Sequence, residues 1–311
     1  LHELLRRTST MSLARCFNDG LRGQLFEMLC FQSDPERCTP SCRVDVIESV
    51  YDVARRASEE GGGPLLEALK KASWTPPDTE PHHLTIGCVS TTIDLPRASP
   101  PAVSLVTGVL LPNLIWRPGQ ANTRIRKASL LALHTILPAV EANWMRSMLD
   151  DLIPLLRSSL DDAFTPDNRH LATIVIIDIF GKMADDQQFD EFDGEVLREC
   201  YPDLLKRLDD SVDEIRILAC RALEVLMEVL STRPGTMKAL SNSVFGYIIR
   251  SLFVHLDDSN MQLSKAVYAA LRKASAAGGG AFEAEVDTAA ANSLHPDLCL
   301  SLLNRGLSSS S

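Results

Sequence analysis

Three cysteines near the beginning of the chain come closest to the residue types and spacing of a metal site. Cys30, Cys38 and Cys42 are followed by His82 and His83, and three residues separate Cys38 from Cys42. A structural zinc ion is bound by four such side chains, usually arranged as two closely spaced pairs. The sequence has one close pair and no second pair, so free thiols around a loop are the favoured interpretation. We expect no metal ion at these cysteines.

A second group with metal-binding chemistry lies between residues 184 and 195, where the sequence is ADDQQFDEFDGE. Clustered carboxylates bind calcium, but the spacing of an EF-hand loop and its final glutamate are missing. The segment is therefore interpreted as a solvated acidic loop between two helices. Phe189 and Phe192 lie within it, and aromatic side chains amid charge can anchor an interface. A docking patch for a basic partner is therefore the alternative.

The remaining polar residues form no recognisable catalytic arrangement. The glycine-rich segments at 59–64 and 278–280 lack the Lys-Ser/Thr pair with which a P-loop binds phosphate. The histidines are scattered and form no Ser-His-Asp or Cys-His set. The spacing of the paired carboxylates follows the repeat, whereas a catalytic pair would need one carboxylate in an apolar pocket that raises its pKa. We therefore expect a protein without enzymatic activity and without a cofactor. An enzyme with an unrecognised site is kept as an alternative.

The carboxylates recur at a fixed distance along the chain. Leu-Asp-Asp occurs at residues 160–162, 208–210 and 256–258, at intervals of 48 residues. Each triplet lies between two segments whose apolar residues recur in steps of three and four, which is the pattern of two amphipathic helices joined by a polar turn. A more divergent pair at 101–136 lacks the aspartates and keeps a similarly spaced arginine. The pattern therefore predicts four helix pairs over residues 101–276.

Repeated helix pairs predict the fold. A single pair would leave an apolar face in water, and stacking of neighbouring pairs buries that face in one continuous core. The predicted fold is therefore all-α, an α-solenoid of stacked antiparallel helix pairs. Residues 1–72 have helical patterns that fit degenerate N-terminal repeats, and residues 73–100 are rich in Pro, Thr and Ser, as in a linker or surface loop. Residues 277–311 predict a Gly-rich turn, two capping helices and a disordered serine tail.

The repeated aspartates have a structural interpretation in this fold, because each pair lies between two helices. Acidic side chains there interact favourably with the positive end of the following helix, and Asp213 is predicted to cap the second helix of its repeat. The arginine that follows, Arg169 or Arg216, is predicted to pair with aspartates of its own or a neighbouring turn. Removing Asp210 and Asp213 together is expected to cost about 1–2 kcal/mol through lost capping. The residues assigned to the repeat turns are Asp161, Asp162, Arg169, Asp209, Asp210, Asp213, Arg216, Asp257 and Asp258.

Composition limits the classes of partner. The net charge of −10 makes a phosphate backbone an unfavourable partner, since no long basic run offsets it. No apolar run reaches the roughly 18 residues of a membrane span, and no signal peptide is recognised. Cys200 and Cys220 fall in apolar helical patterns, where a thiol behaves as a small hydrophobic group, and a reducing compartment fits best. We expect a cytoplasmic protein that binds neither nucleic acid nor membrane.

The paired helices, the acidic turn and the following arginine resemble HEAT repeats, most clearly in LDDSVDEIR at 208–216. The segment YPDLLKRLDDSVDEIRILACRALEVL at 201–226 also resembles the C-terminal region of the HEAT-repeat family of dynein axonemal assembly factors. The resemblance covers roughly residues 101–305. The last repeat departs from the pattern, because Ser264 stands where arginine is expected; the adjacent Lys265 is the expected substitute.

This resemblance implies a cytoplasmic protein that helps to preassemble dynein arms for motile cilia, acts alongside chaperones and has no reaction of its own. It implies axonemal dynein chains or chaperones as partners. A HEAT-repeat scaffold of another pathway, such as transport or phosphatase regulation, is the alternative. Extended partner segments are expected on the exposed side of the second helices or on the acidic loop. The candidate contact residues are Arg124, Lys127, Arg169, His170, Phe189, Phe192, Glu214, Arg221 and Lys265.

Overall fold

The computed structural model describes residues 2–18, 22–59, 63–70, 100–185, 194–292 and 296–306. Every regular element within these ranges is helical, as the sequence periodicity predicts. The chain divides into two compact units, unit 1 (Leu1–Leu155) and unit 2 (Leu156–Ser311). In the ranges described, no helix combines the length and the apolar character that crossing a bilayer requires.

Unit 1 begins with short helices and continues with two longer helix pairs. Its helices are α1 (His2–Arg7), α2 (Thr10–Asn18), α3 (Arg22–Ser33), α4 (Pro40–Glu59), α5 (Pro64–Lys70), α6 (Pro101–Leu105), α7 (Leu111–Leu114), α8 (Gln120–Ile136) and the larger part of α9 (Ala142–Leu160). A π-helical turn joins α6 to α7, and a 3₁₀ turn follows α8. Proline is the first residue of α4, α5 and α6, where its missing N–H removes no helical hydrogen bond and its fixed φ suits the first turn.

The second helices of the two pairs in unit 1, α4 and α8, pack along each other. Each buries an aliphatic stripe, with Ile47 and Val50 on α4 and Leu130 and Leu133 on α8 among its members. Burying one such side chain contributes roughly 1.5–3 kcal/mol relative to leaving it exposed. The segment between the two pairs, 71–99, lies outside the described residues, and most of the predicted linker falls there.

Unit 2 contains the remaining helices, which form further pairs. They are α10 (Pro166–Asp185), α11 (Gly194–Arg207), α12 (Asp213–Thr232), α13 (Pro234–Leu240), α14 (Asn242–Phe253), α15 (Met261–Asn292) and α16 (Pro296–Gly306). The short helix α13 contacts α11 and was not predicted, because its seven residues are too few to show a period. The other helices fall where the repeat pattern predicts them.

The long second helices of unit 2 pack side by side, α10 on α12 and α12 on α15, and the first helices α11 and α14 pack on α12 and α15. Ala172 and Ala219 are fully buried, and their small side chains allow the helices to approach closely. The leucine of each Leu-Asp-Asp triplet is also buried, at Leu160, Leu208 and Leu256. The prediction of stacked helix pairs is thus confirmed within unit 2.

Two adjacent glycines serve different purposes in α15. Gly279 has φ 46° and ψ −129°, which breaks the helix inside the predicted Gly-rich turn and favours a residue without a Cβ. Gly278 lies directly against the ring of Phe245, since a Cβ built there would be 2.4 Å from two ring carbons. The absence of a side chain at Gly278 therefore lets α15 pack closely on α14.

Candidate functional site

The second aspartate of each Leu-Asp-Asp triplet shapes the turn between its two helices. Asp162, Asp210 and Asp258 each accept a hydrogen bond from the backbone N–H two residues later, at 3.1, 3.1 and 2.8 Å. This Asx-turn geometry is the local conformation that aspartate favours in tight turns. Each carboxylate thus satisfies a backbone donor just before the second helix begins.

Unit 1 contains an equivalent turn that the sequence interpretation missed. Asp34 Oδ1 accepts a hydrogen bond from the backbone N–H of Glu36 at 2.8 Å. Arg43 is the fourth residue of α4, the position that Arg169 and Arg216 hold in α10 and α12. The signal in the sequence is DPERCTPSCR at 34–43, where a longer turn separates the acid from the arginine and hides the period.

Arg169 of α10 forms a buried ion pair with the turn of the next helix pair. Its Nε and Nη2 donate to the two carboxylate oxygens of Asp210, each at 2.8 Å, and its Nη1 donates to the backbone carbonyl of Asp162 at 2.8 Å. Arg207 adds a donor to Asp210 at 3.1 Å. The side chain of Asp210 is 1% exposed and that of Arg169 is 8% exposed. Burying a charged side chain is unfavourable unless it is paired, and this bidentate hydrogen bonding pairs the arginine with the aspartate.

Arg216 of α12 makes the corresponding contact one repeat later. Its Nη2 donates to Asp258 Oδ2 at 2.5 Å, and its Nε donates to the carbonyl of Leu208, at the end of its own first helix, at 2.8 Å. Each arginine therefore joins two places, the end of its own first helix and the turn of the following pair. This confirms that the arginines pair with aspartates of a neighbouring turn.

The last repeat keeps only the first of these two contacts. Ser264 stands at the arginine position, and its hydroxyl donates to the carbonyl of Leu256 at 2.6 Å. The expectation that Lys265 replaces the arginine is wrong. Lys265 is exposed, and the Ser264 hydroxyl makes the hydrogen bond to the Leu256 carbonyl in its place.

Unit 1 has the same kind of contact, but with neutral amide acceptors in place of a carboxylate. Arg43 of α4 donates through Nη1 to Asn113 Oδ1 at 2.9 Å and through Nη2 to Asn122 Oδ1 at 2.7 Å, both in the following helix pair. Asn113 in turn donates to the carbonyls of Ser33 and Val109 at 2.9 and 2.8 Å. Amide oxygens thus replace the aspartate. We call these contacts of Arg43, Arg169 and Arg216 the arginine ladder.

The first aspartate of each triplet lies in different surroundings. Asp161, Asp209 and Asp257 are exposed. Asp161 pairs with Lys206 of α11, and Asp209 Oδ1 lies 3.8 Å from His255 Nε2. Exposed pairs of this kind contribute about 0–1 kcal/mol. The two aspartates of a triplet, which the sequence presents as equivalent, therefore differ in importance.

The predicted cap at Asp213 is wrong. The residue before α12 is Val212, which makes no side-chain cap, and Asp213 is already the first helical residue. Its carboxylate accepts hydrogen bonds from Arg216 at 3.0 Å and from Asn260 Nδ2 at 2.8 Å. Asp210 bonds the backbone N–H of Val212 instead, because the turn directs the earlier aspartate toward the helix start.

The ladder keeps its two carboxylates ionised. Burial raises the pKa of Asp210, but hydrogen bonds from Arg169 and from the Val212 backbone outweigh it, so the net shift of this pKa is downward. The pKa of Asp258 is lowered by the Asn260 backbone N–H and by Arg216. Both groups therefore bind a proton less readily in the folded than in the unfolded chain.

Acid is expected to destabilise the chain through these two carboxylates. The unfolded aspartate pKa lies near about 3.9, and the folded values lie below it, so the unfolded state takes up more protons as the pH falls. The stabilisation is fully present above the unfolded pKa and is lost as the pH falls through the folded pKa. Unfolding in urea from about pH 7 to about pH 3 should show that Asp210→Asn with Asp258→Asn loses less stability than the wild type. Identical pH profiles of the two proteins would refute this.

The candidate contact residues on the second helices are mostly exposed. Those with exposed side chains are Arg124, Lys127, Glu214, Arg221 and Lys265. His170 is half-buried, with its Nε2 3.2 Å from Glu214 Oε1. Arg124 pairs with Glu48 of α4 at 3.0 Å. Their contact with a partner stays a prediction.

One candidate is not available for a partner. The expectation that Arg169 is exposed is wrong, because its guanidinium group is buried in the ladder. Sequence alone favours exposure, since arginine is seldom buried unless it is paired. Phe189 and Phe192 lie outside the described residues, and so does most of the acidic segment around them.

The amino-terminal cysteines are free in the structure. Burial raises the pKa of Cys30 to about 11, while Cys38 is half-buried and Cys42 is exposed. Within the ranges that the structure describes, no group of three or more His, Cys, Asp or Glu side chains is arranged to hold a metal ion. His82 and His83 lie outside those ranges, so the expectation about zinc stays a prediction.

Sequence comparison finds relatives with one shared name, although no protein-family model matches the chain. Dynein axonemal assembly factor 5 of Mus musculus is 28% identical over 173 residues, 55% of this chain and 19% of the relative. The Homo sapiens protein of the same name is 29% identical over 171 residues, 54% of this chain and 19% of the relative. The Xenopus laevis protein is 26% identical over 205 residues, 65% of this chain and 23% of the relative. The matched region therefore spans only about a fifth of these relatives.

Solved structures share the fold at low sequence identity. A crystal structure of computationally designed armadillo repeat proteins for modular peptide recognition has a TM-score of 0.52 and 15% identity, covering 91% of this chain and 98% of that chain. A second designed armadillo repeat protein has a TM-score of 0.51 and 16% identity, covering 90% and 98%. These similarities confirm the predicted α-solenoid fold. The relatives confirm the resemblance as well: this chain is an α-solenoid protein similar, over about half its length or more, to Dynein axonemal assembly factor 5.

Proposed function

We propose that this protein is a non-catalytic scaffold in the cytoplasmic preassembly of axonemal dynein arms. The observation that carries the proposal is the sequence similarity to Dynein axonemal assembly factor 5 in three organisms. The name of those relatives connects them with the assembly of axonemal dynein. The matched region is long enough to include several helix pairs of this chain.

The state of the carboxylates supports a scaffold over an enzyme. The two carboxylates that the arginine ladder binds, Asp210 and Asp258, both have a lowered pKa. A catalytic acid at neutral pH needs the opposite shift, which an apolar pocket without a cation produces. Here the carboxylates bind arginines and hold neighbouring helix pairs together.

Extended segments of other proteins are the proposed ligands. The designed armadillo repeat proteins of similar fold were made for modular peptide recognition. In this chain, the exposed charged residues of the second helices offer the corresponding contacts, among them Arg221 and Lys265. Axonemal dynein chains, or the chaperones that act on them, are the proposed partners, and Phe189 and Phe192 are proposed as further contacts.

Affinity capture from an extract of ciliated cells tests this proposal. The tagged chain is expected to enrich axonemal dynein heavy or intermediate chains over a tag-only control, as identified by mass spectrometry. Capture of transport factors or phosphatase subunits without dynein chains would reject the proposal in favour of a scaffold in another pathway.

A variant with fewer exposed aspartates controls for non-specific binding by the acidic surface. Asp161, Asp209 and Asp257 are exposed, so replacing them with asparagine removes negative charge with little expected change in the fold. This variant should capture the same dynein chains as the wild type. Loss of capture in this variant would show that bulk acidity, and not the second-helix surface, caused the enrichment.

A further inference from the structure

Three exposed cations of unit 2 differ from the cations around them. Lys206 and Arg250 pair with carboxylates on neighbouring elements, and Lys273 pairs with Glu228 at 2.8 Å. In contrast, Lys265 and Arg272 of α15 have no carboxylate within 4.0 Å among the described residues, and Arg221 of α12 reaches only Glu224, at 4.0 Å on its own helix. We call Arg221, Lys265 and Arg272 the basic triad.

The repeat places these three residues on one surface. Arg216 and Ser264 are equivalent, since each donates to the carbonyl of the residue eight positions earlier, at the end of the first helix of its pair. Five residues further along each helix, Arg221 therefore lies beside Ala269. Lys265 and Arg272 are four residues before and three residues after Ala269, which puts them on the same face of α15.

A second contact supports this alignment of the two helices. Glu228 of α12 pairs with Lys273 of α15 at 2.8 Å, so the helices run beside each other well beyond Arg221. Seven residues, or about two helical turns, separate Arg221 from Glu228. Arg221 and Lys265 therefore lie about two turns nearer the helix starts than this ion pair, whereas Arg272 directly precedes Lys273.

The spacing of the triad suits an extended chain. Lys265 and Arg272 are seven residues apart, which corresponds to about 10 Å along the helix axis, and neighbouring helices lie about 8–10 Å apart. The three side chains thus leave the two helices at points about 10 Å apart. In a polyproline II segment, residues three apart lie on one side and are about 9 Å apart. Acidic residues at that spacing match the distance between two of these points, and the third side chain reaches toward the segment from the side.

We propose that the basic triad binds an acidic, extended segment of a partner protein. This proposal rests on the scaffold function proposed above and gives it a ligand chemistry. The guanidinium groups of Arg221 and Arg272 can each bind a carboxylate through two donors, and Ala269 between them leaves room for a backbone. Nucleic acid fits less well, because a chain of net charge −10 repels a long phosphate backbone, whereas a short carboxylate segment needs only local charge.

A synthetic peptide tests the proposal directly. The probe is a labelled peptide in which Glu occupies every third position and Ser and Pro fill the others, and the reference is the same peptide with Gln in place of Glu. Fluorescence anisotropy with the full chain should show that the Glu peptide binds and the Gln peptide does not. The affinity for the Glu peptide should fall as salt is added. The test variant combines Arg221→Gln, Lys265→Gln and Arg272→Gln. Its affinity should fall by at least about tenfold through the loss of three charge-assisted contacts.

The control removes the same charge from other surfaces. It combines Arg55→Gln, Lys206→Gln and Arg250→Gln, all exposed and each paired with a carboxylate. Its affinity for the peptide should stay within about twofold of the wild type. Thermal unfolding monitored by circular dichroism shows whether both variants remain folded.

Three results would overturn the proposal: no binding of the Glu peptide, equal weakening in both variants, or tighter binding of a single-stranded oligonucleotide of equal charge. The triad and the scaffold function can fail separately. Dynein capture that persists in the triad variant would contradict the proposed triad while leaving the scaffold function intact. Peptide binding by a protein that captures no dynein chains would reject the dynein role while leaving the triad intact.

Discussion

Replacing Asp210 with alanine is expected to lower the free energy of unfolding by about 3–5 kcal/mol, the range found when one partner of a buried ion pair is removed. The expectation of about 1–2 kcal/mol from lost capping is too small, because it leaves out the buried pair with Arg169. The variant leaves Arg169 buried without its carboxylate and removes a hydrogen-bond acceptor of Arg207. It also leaves the backbone N–H of Val212 without its side-chain acceptor. Unfolding of the full chain in urea, followed by circular dichroism, measures the loss.

Two neighbouring aspartates provide matched controls for Asp210→Ala. Asp209 is 81% exposed, so Asp209→Ala should change the free energy of unfolding by less than about 0.5 kcal/mol. Asp213 bonds Arg216 and Asn260 at the surface, so Asp213→Ala should cost no more than about 1 kcal/mol. If Asp210→Ala and Asp209→Ala gave similar losses, the buried pair with Arg169 would not be the main contribution of this turn.

The second large effect is expected where α14 meets α15. Phe245 is fully buried, and Phe245→Ala should cost about 3–5 kcal/mol because it removes a large apolar side chain and leaves a cavity. Gly278→Ala should cost about 1–3 kcal/mol in the wild type, because its Cβ would lie 2.4 Å from the Phe245 ring. Both losses are measurable by urea unfolding.

The combination of these two substitutions distinguishes a steric clash from other causes. In the Phe245→Ala background the ring is absent and the Phe282 Cβ, 3.0 Å from the built Cβ, is the remaining close contact, so Gly278→Ala should cost less than about 1 kcal/mol. Gly280→Ala is the control, since nothing lies within 4 Å of a Cβ built at Gly280, and it should have a small effect in both backgrounds. An equal cost of Gly278→Ala in both backgrounds would contradict the close packing described here.

Periodicity predicts the stacked helices well because burial sets it. Leu160, Leu208 and Leu256 recur at a fixed interval, and all three are buried at the end of a first helix. The two aspartates that follow each leucine are equally polar in sequence. Their different surroundings depend on which side chain the turn directs toward the helix start, and that direction is a property of the backbone. The sequence therefore predicts the turn but not the importance of Asp210 over Asp209.

The ladder shows a second limit of sequence interpretation. Arg169 finds its carboxylate 41 residues later in the chain, and only the stacking of repeats brings the two together. In unit 1, a longer turn shifts Arg43 out of the period, and the amides Asn113 and Asn122 replace the acid. A search for Asp–Arg spacing cannot recognise such a substitution, whereas the hydrogen-bonding geometry identifies it at once.

The basic triad stays a proposal, and the sequence names only two of its three members as candidates. Arg221 and Lys265 were named because they are charged residues on second helices, and both are exposed. Arg272 was missed, because its relation to them follows from the alignment of α12 with α15 and not from its neighbours in sequence. The sequence also lists cations without showing which are already paired, as Arg124 is with Glu48.

The most direct test of the claim that the arginine ladder joins neighbouring helix pairs is a double-mutant cycle on Arg169 and Asp210. The measurement compares the free energies of unfolding of wild type, Arg169→Met, Asp210→Ala and the double variant. The two single losses are predicted to add up to about 1–3 kcal/mol more than the loss in the double variant, because the double variant leaves neither Arg169 nor Asp210 buried without its partner. Losses that add to within about 0.5 kcal/mol would contradict the ladder as the joint between these pairs.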